Sequence, residues 1–177
     1  MKPETVHTAL ESVGSTDKEA FVYQLDFLKL EFAANNVTIG RIDEITSKLK
    51  NWAILTWAGS ITLTLGHLEL RKYLGVTAVL PLPFFFVESW MRRIQRSFIF
   101  RINKISDFLN DGRLQRSFQE RKLVDFRVVD PRATQHRATH EYKRFTTLWG
   151  TMAFREVAAF YLGLSLLSIV IWWIVSH

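Results

Sequence analysis

VAAFYLGLSLLSIVIWWIVS, residues 157–176, decides the fold class, because these twenty residues include no charged side chain. An α-helix of about 20 apolar residues crosses the roughly 30 Å hydrocarbon core of a bilayer. Two further apolar stretches, residues 51–68 and residues 74–87, precede it. The sequence therefore predicts an all-α integral membrane protein with three transmembrane helices and a small basic cytosolic helical bundle.

Basic side chains are placed unevenly around these stretches. Residues 1–50 contain six basic and eight acidic side chains, whereas residues 92–155 contain fifteen basic and six acidic ones, a net charge of +9 (15 − 6). Lysine and arginine concentrate in the cytoplasmic loops of membrane proteins. This rule predicts an N-in, C-out topology, with residues 92–155 in the cytoplasm and the turn at residues 69–73 outside.

Aromatic side chains predict the same topology. The rings of Trp and Tyr concentrate at the two membrane–water interfaces. The rings at predicted cytoplasmic ends are Trp52, Trp90 and Trp149, and those at predicted outer ends are Tyr73, Trp172 and Trp173.

The second apolar stretch has two interpretations. Residues 74–87 are fewer than a bilayer requires, and Pro81 and Pro83 interrupt the hydrogen-bond ladder of a helix. The stretch either spans the membrane by extending past Glu88, with a kink or gate hinge at the prolines, or forms a buried or re-entrant segment. Glu88 either pairs with Arg92 one helical turn later or forms a cation-attracting ring in an oligomer.

Periodicity and turn signals divide the chain into four regions. These are a cytosolic helical N-terminal region (1–50), a transmembrane hairpin (51–91), a basic cytosolic helical region (92–148) and a C-terminal transmembrane helix (149–177).

The N-terminal region is predicted to contain two helices. Thr16 and Glu19 form a capping box that opens the first helix, and Asn35-Asn36 ends it. Its apolar stripe is Phe21, Leu25, Leu28 and Phe32. A second helix begins near Thr38 and continues into the first apolar stretch.

The basic region is predicted to continue the second stretch as a helix that ends at Asn110-Asp111-Gly112. Its apolar stripe is Met91, Ile94, Phe98, Ile102, Ile105 and Leu109. A short helix over residues 113–123 follows, and residues 126–129 form either a strand or an extended link. Asp130-Pro131 has the pattern of a helix start, and that helix runs towards the third span, with Gly150 as its weak point.

Arginine-rich segments of this kind bind phosphate, because the guanidinium fork matches phosphate oxygens. The basic residues nearest the membrane serve topology and lipid headgroups, so the candidate nucleic-acid-binding residues are those further along the chain. They are Arg113, Arg116, Arg121, Lys122, Arg127 and Arg132.

A polar line in the first stretch gives candidate pore-lining residues. Thr56, Ser60, Thr64 and His67 are spaced four, four and three residues apart and share one helix face. In an oligomer this face lines a water-filled pore, or its small hydroxyl residues form a packing seam between helices.

Catalytic and metal-binding signals are weak. His136 and His140 have no evident third metal ligand, and basic neighbours repel a cation. The chain has no cysteine, no phosphate-cradling glycine loop and no nucleophile elbow. The sequence predicts that the protein is not an enzyme and that it needs no cofactor.

A helical lead-in, the hairpin NWAILTWAGSITLTLGHLELRKYLGVTAVLPLPFFFVESW and the basic helix MRRIQRSFIFRINKI follow one another in residues 38–176. This arrangement resembles the small membrane effectors of bacterial antiphage systems. In particular it resembles the channel partner of the Hailong system, in which a nucleotidyltransferase makes single-stranded DNA that holds the channel closed. The resemblance implies a homo-oligomeric, ligand-gated pore in the inner membrane. The candidate arginines and Lys122 would contact the ligand, and Thr56, Ser60 and Thr64 would line the pore.

The predicted function is therefore an oligomeric channel of the bacterial inner membrane, gated by single-stranded nucleic acid or a nucleotide on its basic region. Its partners are membrane lipid, further copies of itself and an oligonucleotide. The alternatives are a non-conducting membrane adaptor that anchors an acidic partner protein, and a holin-like pore that needs no ligand.

Overall fold

The computed structural model describes the backbone of residues 3–147 and 155–176 and the side chains of residues 18–147 and 156–176. The predictions for Trp149 and Gly150 lie outside these residues. In the described ranges the chain is all-helical and has no strand, which confirms the all-α class. The α-helices are α1 (Pro3–Gly66), α2 (Pro81–Asn110), α3 (Gly112–Glu120), α4 (His140–Phe145) and α5 (Arg155–Ser176).

Two 3₁₀ segments complete the helical structure. The longer one, Leu68–Val79, joins α1 to α2, and a short one, Thr134–His136, lies between α3 and α4. Two stretches are long and apolar enough to cross a membrane: Leu68–Asn110 and Glu156–Ser176. Residues 51–66 are not one of them, because Thr, Ser and Gly lower the mean hydropathy of that part of α1.

The chain forms two compact units. Unit 1 consists of Met1–Thr38 and Ser97–Ala138, and unit 2 consists of Ile39–Arg96 and Thr139–His177. Helices α1 and α2 therefore each contribute residues to both units.

Helix α1 is unbroken, so the predicted start at Thr16 and the predicted end at Asn35-Asn36 are wrong. Its predicted continuity into the first apolar stretch is confirmed. Asn36 Nδ2 donates to the Phe32 carbonyl at 3.0 Å, and Thr38 Oγ1 donates to the Ala34 carbonyl at 2.8 Å. These side chains bond to carbonyls of the preceding turn, a geometry that leaves the helix intact.

The prolines lie where the 3₁₀ segment Leu68–Val79 ends and α2 begins, so they mark a change of helix type within the apolar stretch Leu68–Asn110. Pro81 is the first residue of α2, and Pro83 lies in the same first turn. Backbone N–H groups there have no partner within the helix, so proline loses no hydrogen bond. The helix then continues to Asn110, as predicted, and α3 begins at Gly112.

Residues 121–139 are irregular, so the helix predicted from Asp130-Pro131 is wrong, and residues 126–129 do not form a strand. The left-handed backbone of Ala133, with φ of 50°, is incompatible with a continuing helix. The Asp130 carboxylate instead accepts from the backbone N–H of Thr134 at 2.7 Å and from that of Gln135 at 3.0 Å. It thereby caps the short 3₁₀ segment.

The core of unit 1 brings α1 and α2 together with α3 and the irregular segment. Leu28, Ile105 and Phe108 are buried and pack against Leu114, Leu123 and Phe126. The predicted stripes are correct at Leu28 and Ile105. They are wrong at Phe32 and Leu109, which are 38% and 45% exposed.

A buried ion pair occupies the centre of unit 1. Arg101 Nε and Nη2 donate to the two carboxylate oxygens of Glu31 at 2.9 and 3.0 Å. The same carboxylate accepts the backbone N–H of Val129 at 3.1 Å and that of Asp130 at 3.0 Å. Arg101 Nη2 also donates to the Arg127 carbonyl at 2.6 Å. The pair therefore connects α1, α2 and the irregular segment.

In unit 2, the C-terminal part of α1 runs parallel to α5. Lys50 Nζ lies 5.8 Å from the centre of the Phe160 ring. Seven residues further along α1, Trp57 Nε1 donates to Ser168 Oγ at 2.7 Å. Both helices therefore advance in the same direction.

The 3₁₀ segment and the start of α2 run antiparallel to α5. The space beside Gly75 is filled by the Trp172 ring, whereas the Phe85 ring lies 5.9 Å from the Tyr161 ring. Advancing from residue 75 to residue 85 thus means moving back along α5. All three apolar stretches lie side by side in this unit.

We predict that Glu31→Gln loosens unit 1. Removal of one partner from a buried ion pair costs about 3–5 kcal/mol, because the other charge stays buried and unpaired. Hydrogen exchange of residues 97–138 should rise strongly in the full-length protein. Asp26→Asn is the control, since its exposed pair with Lys29 is worth less than about 1 kcal/mol. Equal exchange in both variants would contradict a central role for Glu31.

Candidate ligand-binding site

All six candidate nucleic-acid-binding residues lie in unit 1, on α3 and the irregular segment that follows. Arg116, Arg121, Lys122, Arg127 and Arg132 are exposed, and Arg113 is partly buried. Residues 97–138 carry nine basic and five acidic side chains, a net charge of +4 (9 − 5). The fold thus presents a basic surface, although it does not direct all of these side chains to one point.

Arg113 and Lys122 form local ion pairs. Arg113 Nε donates to Asp111 Oδ2 at 2.8 Å, and Lys122 Nζ lies 3.2 Å from Glu120 Oε2. The hydrogen bond from Arg113 holds the pKa of Asp111 below its ordinary value. Both pairs are accessible to water, so a phosphate competes with the carboxylates at modest cost.

Arg101 is a basic residue that the fold uses internally. Its side chain is fully buried on Glu31, and its guanidinium lies 4.6 Å from the centre of the Phe126 ring. The sequence pattern places Arg101 among the basic residues that surround the apolar stripe of α2. Its burial removes it from any ligand surface.

A cavity of about 170 Å³ lies among α2, α3 and the short 3₁₀ segment. Its lining residues are Lys104, Arg113, Asp125, Phe126, Gln135 and His136. The His136 ring packs edge-on against Phe100 at 5.7 Å, and Gln135 Nε2 lies 3.0 Å from His136 Nε2. Of the predicted site residues, only Arg113 reaches this cavity.

The sequence pattern does not place Gln135 and His136 beside Arg113, because the predicted helix from Asp130 conceals the turn. The hydrogen bonds that the Asp130 carboxylate accepts from Thr134 and Gln135 fold this turn, and the buried pair of Arg101 and Glu31 fixes the backbone that precedes it. The Asp-Pro dipeptide followed by Thr134 was the available signal, since Asp is also a common cap of irregular turns.

An ionic cluster lies where the three apolar stretches of unit 2 meet. Glu88 is fully buried, and Tyr161 OH donates to its Oε2 at 2.8 Å. Lys50 Nζ lies 3.4 Å from Glu88 Oε1, and Arg92 Nε lies 3.7 Å from the same oxygen. The predicted pair with Arg92 is confirmed, and the fold adds Lys50 and Tyr161 to it.

In the single chain the predicted pore line is exposed at Thr56 and His67 and buried at Thr64. Thr56 is exposed, Ser60 is partly buried and Thr64 is 8% exposed. The Ser60 and Thr64 hydroxyls donate to carbonyls one turn earlier, those of Thr56 and Ser60. His67 lies beyond the end of α1 in extended backbone, so it does not continue the helical face.

The two histidines once considered as metal ligands belong to different units. His136 lines the cavity of unit 1, and His140 is the first residue of α4 in unit 2. The part of the chain that the structure describes contains no group of three His, Asp or Glu side chains placed to hold a metal ion.

Comparison with protein-family models, with curated proteins and with solved structures gives no match for this chain.

We predict that acid weakens the turn that carries Gln135 and His136. Burial acts to raise the pKa of Asp130, but hydrogen bonds from Thr134 and Gln135, with a smaller contribution from Arg101, lower it overall. Because its native pKa is lowered, the ionised Asp130 carboxylate stabilises the folded protein at pH values above its unfolded-state pKa of about 3.9. This stabilisation is lost as the pH falls through the lower native pKa.

Asp130→Asn should therefore destabilise the protein near neutral pH, and the difference from the native protein should shrink below about pH 4. Thermal unfolding followed by circular dichroism at several pH values measures this difference. Asp125→Asn, an exposed carboxylate of the same segment, is the control. A constant difference for Asp130→Asn across the pH range would contradict the assignment.

Proposed function

We propose that the protein is an oligomeric ion channel of the bacterial inner membrane, controlled by an anionic ligand that binds to unit 1. By its resemblance to antiphage effectors, we further propose that it acts in defence against phage. The carrying observation is that one chain combines three apolar stretches, packed side by side in unit 2, with the segment 97–138 of unit 1, which has a net charge of +4 (9 − 5).

The contacts of unit 2 support three membrane spans. Lys50, Glu88 and Tyr161 meet at one end of the stretches, whereas Gly75 and Trp172 meet at the other. Each stretch therefore has the direction that the N-in, C-out topology requires. The ionic cluster then lies near the cytoplasmic ends, where the positive-inside rule expects cations.

Exposed apolar side chains support a lipid environment around unit 2. Leu55, Leu63, Leu166 and Trp173 are each more than half exposed in the single chain. Surfaces of this kind are rare on soluble monomers and are expected where lipid tails surround a helix. Three helices packed on one another leave no aqueous path, so conduction requires several copies. In such an oligomer the polar pair Thr56 and Ser60 lines the shared pore. The predicted pore-lining set is then reduced to these two residues.

A ridge on α1 in unit 1 supports self-association. Tyr23, Leu30 and Val37 repeat every seven residues and are 64–66% exposed. A seven-residue repeat is the spacing at which helices of two chains pack along a shared seam. We propose that this ridge packs against the same ridge of a second copy, because the channel needs several copies.

We predict that Leu30→Asp lowers the oligomeric state. It places a charge in the centre of the ridge, where association would bury it without a partner. Light scattering of the detergent-solubilised protein measures the mass. Asn36→Asp is the matched control, because position 36 is exposed on the same helix about a third of a turn away from the ridge. An unchanged mass for Leu30→Asp would exclude the ridge from assembly.

The proposed ligand is single-stranded nucleic acid or a nucleotide. Arginine and lysine attract phosphate without sequence preference, and this attraction falls with salt. Phe118 is 58% exposed on α3, among the basic side chains, and offers a stacking surface for a base. Helices α1 and α2 continue from the ligand unit into the membrane unit, so the chain itself provides a path for control.

We predict that ion flux through proteoliposomes of the purified protein changes when short single-stranded DNA is added. Replacement of Arg113, Arg116 and Arg121 by Gln should abolish this change, with a smaller salt dependence of binding, because each lost phosphate contact reduces the salt slope by about one. Arg41→Gln in unit 2 is the control and should keep the response.

Other outcomes separate the competing functions. No flux under any condition would favour a membrane adaptor for an acidic partner protein. Flux that ignores both DNA and the arginine changes would favour a holin-like pore. Either result would overturn ligand gating.

A further inference from the structure

The cavity of unit 1 has the size and charge of a phosphate site. At about 170 Å³ it is smaller than the roughly 300–1,000 Å³ of pockets that enclose whole small molecules. Two cations, an amide and an imidazole line it together with one carboxylate. We propose that this cavity binds the terminal phosphate monoester of an anionic ligand. The inference rests on the proposed function, because that ligand is the one that controls the channel.

Arg113 presents its guanidinium in a fixed position. Its Nε is held by Asp111 Oδ2 at 2.8 Å, and its guanidinium carbon lies 5.9 Å from the centre of the Phe108 ring. The terminal nitrogens Nη1 and Nη2 make no hydrogen bond to any residue described in the structure. A guanidinium that is already oriented loses little entropy when it binds phosphate oxygens through both terminal nitrogens.

Lys104 adds a second partly buried charge. The exposed fractions of the Lys104 and Arg113 side chains are 24% and 29%. Lys104 Nζ lies 5.2 Å from the Phe100 ring centre and 3.8 Å from Asp107 Oδ2. Charges that are partly removed from water attract an anion more strongly than exposed ones do.

The shape and charge of the cavity favour a monoester over an internal phosphodiester. A diester continues into nucleotides on both sides and needs an open groove, whereas a terminal phosphate enters a small cavity from one side. Asp125 leaves a net lining charge of +1 (2 − 1) with His136 neutral. A phosphate monoester carries about −1.5 to −2 charges at neutral pH, so the positive lining attracts it more strongly than it attracts a singly charged diester.

The test compares two forms of one short oligothymidylate, with a 5′-phosphate and with a 5′-hydroxyl, both labelled at the 3′ end. Fluorescence anisotropy measures their binding to the full-length protein in detergent micelles at fixed salt. We expect the phosphorylated form to bind roughly tenfold more tightly, as a charge-assisted contact predicts. Arg113→Gln and Lys104→Gln should each remove this preference.

Arg116→Gln is the matched control. It removes the same charge from the same helix at an exposed position outside the cavity, so it should weaken both forms equally and keep the preference. Circular dichroism verifies that each variant is folded. Equal binding of the two forms to the native protein, or a preference that survives in Arg113→Gln and Lys104→Gln, would overturn the phosphate site.

A third arm with inorganic phosphate distinguishes the sources of the phosphate. If inorganic phosphate competes with the phosphorylated oligonucleotide and not with the hydroxyl form, both phosphates bind at the same site. If inorganic phosphate binds more tightly than the oligonucleotide, the site belongs to the free ion. Binding is measured without flux, so a 5′-phosphate preference in a protein that does not conduct would overturn the channel and leave the site intact. Gating by DNA without any preference for the 5′-phosphate would overturn the phosphate site and leave the channel intact.

Discussion

The bidentate pair between Glu31 and Arg101 is the interaction on which unit 1 depends. Both side chains are buried, and removal of such charges from water costs several kcal/mol for each ion. The cost is offset because Glu31 also accepts two backbone N–H groups and Arg101 also donates to a carbonyl. These extra bonds fix the irregular segment 121–139 against α1 and α2, although it contains little regular structure of its own.

A second buried carboxylate organises unit 2 in a similar way. Glu88 receives a hydrogen bond from Tyr161 and lies within 4 Å of the charged groups of Lys50 and Arg92. Each apolar stretch thus supplies one partner at its end. A carboxylate in that position would be costly without them, so the cluster sets the level at which the stretches align.

The basic residues have three separate roles in this fold. Arg101 belongs to the core, Arg92 stabilises the ionic cluster, and Arg113 faces a cavity with its terminal nitrogens available. Net charge alone does not separate these roles, because it counts all arginines equally. The argument for an anionic ligand therefore depends on the partly buried and exposed members of α3 and the following segment.

The sequence by itself determined the helical class, the apolar stretches and the end of α2 at Asn110, because length, hydropathy and turn residues act locally. Only the tertiary structure decided that Asn35 and Asn36 remain helical, that Pro81 begins a helix and that Asp130 caps a turn. The reason is that Asn and Asp are common both at helix ends and within turns, and Pro both at helix starts and in turns, so the local sequence does not choose between these placements. Burial of Glu31 and Arg101, and the cavity at Arg113, Gln135 and His136, depend on residues distant in the chain, so local periodicity carries no signal for them.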